Sequence, residues 1–296
     1  MLDELNILAR LLPSLPRNAG VVIGPGDDCA ALAWTGGRVL LAAVDQVVGD
    51  VHYYRGATPP EAAGRKLMCR NLSDIAAMGG VPRWALLAVA AGGRDAEWVL
   101  AFCRGVADAG ARYGVAVVGG DLAGFPGEGE VAALTILGEA EEARLLLRSG
   151  ANPGDALYVT GELGNSLASG RHLDFEPRLK EGKFLADNGF ASAMLDVSDG
   201  LLLDAKRLAE ASRLRLRIDP AALPLRAGAT AEGALSDGED YELLFTVPSG
   251  KEAELVRNWN LTTRLTRIGV AESGEPDVCD PAGRSLLTRG KCGYEH

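Results

Sequence analysis

Apolar residues along this chain fall into short continuous runs and longer helical stripes, and the two alternate. RVLLAAV, residues 38–44, is continuous and predicts a buried strand ending at Asp45. Residues 58–78 open with Pro59-Pro60-Glu61, suited to a first helical turn, and close at Gly79-Gly80, suited to a C-cap. A strand over 84–91 follows, then a helix over 95–114 with Asp95 as N-cap and Val99, Phe102, Val106 and Ala109 on one face. VAVV runs straight into Gly119-Gly120-Asp121, which predicts a turn, and VAALTILGEA predicts another strand. EEARLLLRSGANPGD mixes charge with Ser, Gly, Asn and Pro and marks a boundary near residue 145.

The second half repeats the alternation. DALYVTG and AMLDV predict strands, and SDGLLLDAKRLAEAS predicts a helix capped by Ser198 or Asp199. EDYELLFTV predicts a strand with alternating apolar positions, and RLTRIGV one more. Strands interleaved with helices in both halves predict a mixed α/β (α+β) chain of two sandwich domains, 1–145 and 146–296. NLSD and DVSD match over too few residues to claim a duplication.

Composition narrows the function classes. A chain of 296 residues can bury a core in each of two domains, and its apolar fraction of 47% is that of a soluble globular protein. Thirty Lys+Arg against 40 Asp+Glu, net charge -10, argues against nucleic-acid binding, which needs a basic face. A small polyphosphate screened by metal ions remains open. Cys29, Cys69, Cys103, Cys279 and Cys292 are widely spaced with no C-x-x-C, which predicts free thiols in a reducing cytoplasm. His52, His172 and His296 are too dispersed for a histidine-rich zinc site. MLDELNILARLL reads as a short amphipathic helix rather than a signal peptide, and WALLAVAA is too short to span a bilayer.

Four acidic segments carry candidate chemistry. GPGDDCA joins tight-turning glycines to Asp27-Asp28, oxygens for a hard cation, although a plain surface turn uses the same residues. NLSDIAAMGG puts Asp74 inside a helix, where aspartate competes for backbone hydrogen bonds unless it faces water or has a function. VVGGDL sets backbone N–H groups beside an acid, as an anion site or as an Asx turn. In AMLDVSDGL, Asp196 ends an apolar strand, and Ser198-Asp199-Gly200 opens a helix whose positive end favours anions. Capping accounts for Ser198 or Asp199 but gives Asp196 no job. There is no G-x-x-x-x-G-K-[ST], no kinase HRD or DFG and no G-x-S-x-G.

In this order and spacing the segments resemble the thiamine-monophosphate kinase family. Its superfamily also holds aminoimidazole ribonucleotide synthetase, selenophosphate synthetase and a hydrogenase maturation factor. The likeness runs from GPGDDCA through RSGANPGDALYVTG and SDGEDYELLFTV to the closing GYEH. It implies an N-terminal domain that binds ATP and several Mg²⁺ ions and forms a homodimer, with a C-terminal domain completing the site. Carried over residue by residue, it makes Asp28, Asp45, Asp74, Asp121, Asp196 and Asp199 metal ligands, with Asp74, Asp121 and Asp196 catalytic. It sets Gly120, Asp121, Arg148 and Ser198 at the nucleotide, and His52, Glu239 and Tyr294 at thiamine monophosphate. An acid and an aromatic ring suit an aminopyrimidine joined to a cationic thiazolium.

The chain also departs from the family pattern. Ala43-Val44 stand where hydroxyl residues usually precede the acid matched by Asp45, GGDL replaces GGDT, SDGED replaces SGGED, and the GRHLDFEPR region is compressed. Water or a phosphate oxygen can complete an octahedral shell in place of the missing hydroxyls. The activity implied is ATP-dependent phosphorylation of thiamine monophosphate to thiamine diphosphate, by positioning and charge screening rather than by a strong base. Another ATP-dependent enzyme of the superfamily, or a non-catalytic nucleotide- or metal-binding homologue, stays open at this stage.

Overall fold

The computed structural model describes residues 4–16, 18–288 and 292–293. Among them are two six-stranded sheets and seven α-helices. The first sheet holds β1 (Val21–Ile23), β2 (Ala30–Ala33), β3 (Arg38–Val48), β4 (Val81–Gly92), β5 (Ala116–Gly124) and β6 (Gly129–Glu141), in the order β1-β2-β3-β6-β4-β5. The second holds β7 (Ala156–Thr160), β8 (Ala193–Asp196), β9 (Arg215–Ile218), β10 (Leu243–Val247), β11 (Leu265–Glu272) and β12 (Asp277–Cys279), in the order β12-β9-β11-β7-β10-β8. Pairing is antiparallel except for β4 with β5 and β9 with β12. The helices are α1 (Glu4–Leu11), α2 (Pro60–Ala77), α3 (Ala96–Arg112), α4 (Leu179–Asn188), α5 (Leu201–Ser212), α6 (Ala231–Ser236) and α7 (Glu252–Asn258). No helix among the described residues is long and apolar enough to cross a membrane.

The central element is α2. Pro60 starts it at a position where the missing N–H costs nothing. Gly79, at φ 67°, ends it in the left-handed conformation, and the Gly80 N–H returns to the Ile75 carbonyl at 2.9 Å. Leu67, Met68, Leu72 and Ile75 are fully buried, each contributing about 1.5–3 kcal/mol. They join a core made with the inner face of the first sheet and with α3, whose Asp95 cap accepts from Trp98 N at 2.8 Å. Farther along, α2 packs against β8 and α4, so one helix touches both sheets.

The sheets differ in cover. Strands β7, β8 and β10 are buried at every position, with separate apolar clusters on the two faces. The predicted alternation in EDYELLFTV is therefore absent, and the strand begins only at Leu243. In contrast β6 alternates, and the outer face of the first sheet leaves Val44, Trp84 and Leu86 exposed.

Three more expectations are corrected. Strand β3 continues three residues past Asp45, because that residue pairs in register with Leu134 of β6. Gly119-Gly120-Asp121 is not a turn but the middle of β5. A Cβ on Gly120 would lie 1.8 Å from the Leu87 carbonyl oxygen, so the glycine allows β5 to lie close against β4. Neither Ser198 nor Asp199 caps α5. Asp204, inside the first turn, reaches back and accepts from the N–H groups of Ser198, Asp199 and Gly200 at 3.1, 3.0 and 3.2 Å.

Candidate active site

Three carboxylates from distant stretches converge where α2 meets the edge of the second sheet. Asp28 comes from the loop between β1 and β2, Asp74 from the last turn of α2, and Asp196 from the end of β8. One oxygen of each lies within 4.8 Å of the others. Two full charges at that separation repel by roughly 3–4 kcal/mol at an effective dielectric constant of 20. Partners are few. Arg148 Nη2 lies 2.5 Å from Asp28 Oδ1, and Ser73 Oγ donates to Asp196 Oδ2 at 2.6 Å. Asp28 Oδ2 is buried with no hydrogen-bond partner among the described residues. Burial first, and the neighbouring acids after it, push the Asp74 and Asp196 carboxyls well above the usual carboxylate range. Asp27, beside the cluster, is also raised by burial, against a hydrogen bond from the Arg148 backbone N–H. An acidic, partly unsatisfied oxygen cluster of this kind fits a hard divalent cation.

A small cavity adjoins the cluster, lined by His52, Arg70, Ser198, Asp199, Glu239 and Tyr241 among others. Its wall is the loop from Glu239 to Glu242, which turns through left-handed φ at Glu239 (57°) and Tyr241 (52°). Such angles cost about 1 kcal/mol or more apiece in a non-glycine residue. Side chains on both sides of the loop over-determine them. Asp240 is gripped by Arg226 and the Gly164 N–H, and Glu242 by Arg178 and Thr160. Tyr241 stacks on Phe175 with centroids 4.0 Å apart.

Glu239 is matched by cations. The fully buried Lys66 Nζ lies 2.8 Å from both of its oxygens, 2.6 Å from the His52 carbonyl oxygen and 3.0 Å from His172 Nδ1. Burial opposes the charge on Glu239, but the His172 hydrogen bond and the Lys66 charge outweigh it and bring its carboxyl down to about 2. Burial dominates at Lys66 and lowers it to about 8, against the pull of Glu239. Both groups are charged at pH 7. On the same face of α2, one turn on, Arg70 forks onto Asp45, with Nε to Oδ2 at 2.9 Å and Nη2 to Oδ1 at 3.2 Å. Its Nη1 lies 3.9 Å from Glu239.

The remaining sequence candidates are dispersed. Asp199 lines the cavity but is paired with Arg207 at 2.7 Å. Ser198 lines it too, with its N–H committed to Asp204. Gly120 and Asp121 sit in β5. Asp121 is in register with the exposed Ala88, on the outer face, whereas Asp45 is in register with the buried Leu134. Asp121 therefore lies on the opposite side of the sheet from Asp45. Tyr294 lies outside the described residues.

Comparison with known proteins gives the family. Residues 26–140 match the family model for the AIR synthase related protein, N-terminal domain. The thiamine-monophosphate kinase of Rhodopirellula baltica is 36% identical, over 90% of this chain and 88% of that protein. That of Bacillus subtilis is 31% identical over 100% of this chain and 99% of its own length. The solved structure of AaThiL complexed with AMPPCP and TMP superposes with a TM-score of 0.83 at 32% identity, covering 99% of this chain and 96% of that one. The chain belongs to the thiamine-monophosphate kinase family.

Within this member of the thiamine-monophosphate kinase family, several side chains at the site escape the motif reading: Lys66, Arg70, Ser73, His172, Asp204 and Arg207. The first three had a legible signal. Lys66, Arg70, Ser73 and Asp74 recur at helical spacing along α2, a polar stripe beside the buried Leu67, Met68, Leu72 and Ile75. His172 meets its partners only through tertiary structure, whereas Arg207 also pairs with Asp204 one turn earlier in α5, at 2.7 Å.

Proposed function

We infer that this chain transfers the terminal phosphoryl group of ATP to thiamine monophosphate, giving thiamine diphosphate. The observation that carries the reading is the convergence of Asp28, Asp74 and Asp196 beside the cavity walled by His52 and Glu239. The full-length likeness to thiamine-monophosphate kinases supports it. We read residues 1–145 and 146–296 as two domains, with the reacting groups held at the seam between them.

The acceptor is itself a phosphate, so no strong base is needed and positioning with charge screening carries the rate. Asp28, Asp74 and Asp196 would hold Mg²⁺, which when bound screens the charge between donor and acceptor phosphates. Arg148, anchored on Asp28 and on the backbone of Gly26, holds that carboxylate in place and offers positive charge to the nucleotide phosphates. Glu239 and His52 present a negative, partly aromatic wall to the thiamine cation. Lys66 fixes both of them.

The outer face of the first sheet is the surface we assign to homodimer formation. Val44 is 66% exposed, Leu86 43% and Trp84 40%, on strands long enough to pair with a second copy. Asp121 lies on that face and would reach a nucleotide only where the face is covered. A cytoplasmic setting is consistent with free thiols at Cys29, Cys69, Cys103 and Cys279.

The test is product formation. Incubated with ATP and thiamine monophosphate, the protein should yield thiamine diphosphate with Mg²⁺ and none in EDTA. Binding of ATP with no product at saturating Mg²⁺ would instead identify a non-catalytic homologue.

A further inference from the structure

Arg70 and Asp45 make a closed unit at the edge of the carboxylate cluster. Both Asp45 oxygens accept from the guanidinium fork, and the Asp45 N–H donates to Asn71 Oδ1 at 3.2 Å. Residues 43 and 44, just upstream, are alanine and valine and bring no side-chain oxygen, and Val44 points to the exposed face of the sheet. The contrast with Asp28 is direct, since that residue keeps a buried oxygen without a partner. Asp45 is likewise outside the group of acids whose oxygens come within 4.8 Å of one another. A doubly charged ion at Asp45 would have to displace the fork and then sit against a guanidinium that is itself almost buried, with 11% of its side chain exposed.

We propose that Arg70 is a built-in counter-ion for Asp45, which confines divalent-ion binding to the Asp28, Asp74 and Asp196 cluster and presents its own positive charge to phosphate in the adjoining cavity. The proposal rests on the phosphotransfer reading of the same cleft. Arg70 stands one helical turn before Asp74, on the same face of α2, and lines the cavity with Ser198 and Glu239. Its Nη1, 3.9 Å from Glu239, is the edge left over after the fork onto Asp45. A fixed, permanently charged group there supplies screening that an ion would otherwise supply, without needing free metal. Arg70 is thus a positioning and screening residue rather than a ligand.

The test counts ions. Mn²⁺ bound per chain is measured by equilibrium dialysis with electron paramagnetic resonance, in the presence of AMPPCP, for the wild type, Asp45→Asn, Arg70→Ala and Asp74→Asn. Asp45→Asn should bind as many ions as the wild type, Arg70→Ala one more, and Asp74→Asn at least one fewer. Arg70→Ala should also need at least tenfold more Mg²⁺ for half-maximal turnover. If Arg70→Ala fails to fold, Arg70→Lys, which keeps charge but loses the fork, should show the same rise in Mg²⁺ requirement at smaller size. Loss of an ion in Asp45→Asn, or an unchanged count and Mg²⁺ requirement in the Arg70 variants, would overturn the proposal. An unchanged count in Asp74→Asn would instead sink the cation reading of the cluster, and this inference with it.

Discussion

Two acidic corners of one cleft are built on opposite electrostatic plans. At Asp28, Asp74 and Asp196 three carboxylates crowd together with one arginine and one serine between them, and an oxygen is left over. At Glu239, on the wall of the cavity that Arg70 and Ser198 also line, a single carboxylate meets Lys66 and His172, with Arg70 just beyond. The first corner holds more acid than base, so added positive charge would favour it. The second is complete before any ligand binds. On the reading proposed above, one acid site takes a metal ion and the other does not, set apart by the cations that α2 carries.

The largest effect should come from breaking the first corner. Asp74→Asn should lower turnover by about a thousandfold or more, since screening by a bound metal ion contributes several kcal/mol, while circular dichroism and melting show an intact fold. Retained turnover would remove Asp74 from the mechanism. The second corner should respond in stability instead. Lys66→Met leaves Glu239 without its main partner and should cost roughly 3–5 kcal/mol in urea unfolding, much of it regained in Lys66→Met/Glu239→Gln. A cost near zero would mean the pair is dispensable.

The two corners also predict opposite pH signatures in metal-free protein. Asp74 and Asp196 have folded-state pKa values raised above the ordinary 3.8, so the folded state binds more protons and stability falls as pH rises through and above that range. Mg²⁺ should abolish that decline. Glu239 is depressed from 4.5 to about 2, so its contribution is fully present above 4.5 and is lost as pH falls toward 2. Melting temperature against pH for Glu239→Gln should lack the acid-side loss and keep the alkaline-side decline. Glu239→Gln should also raise KM for thiamine monophosphate by about tenfold and leave KM for ATP alone, as expected for one lost hydrogen bond to a charged group. The smallest effect, about 1 kcal/mol with no kinetic change, belongs to Asp95→Ala, which removes the α3 cap far from both corners.

The difference between the corners explains what was legible before the structure. Acids that end a strand, interrupt a helix or sit in a glycine turn stand out against their local pattern, so Asp196, Asp74 and Asp28 were visible as candidates. Helices α2 and α3 were visible too, because Pro60, Gly79 and Asp95 mark their ends locally. Cations that neutralise an acid from another element leave no such mark. Whether Asp45 keeps a free oxygen depends on Arg70, 25 residues along and on a helix. The same limit hid the path of β5. Gly119-Gly120 reads as a turn in isolation, and only the neighbouring Leu87 backbone makes it a place of close strand approach. Asp204 displaced the expected caps of α5 because a carboxylate in the first turn can take three N–H groups where a cap side chain takes one.

The most direct measurement is anomalous scattering from crystals grown with AMPPCP, thiamine monophosphate and Mn²⁺. A peak bonded to oxygens of Asp28, Asp74 and Asp196, with Glu239 still held by Lys66 and free of metal, is the expected result. Empty density at the three aspartates, with their carboxyls hydrogen-bonded to one another and the nucleotide lying elsewhere, would contradict it.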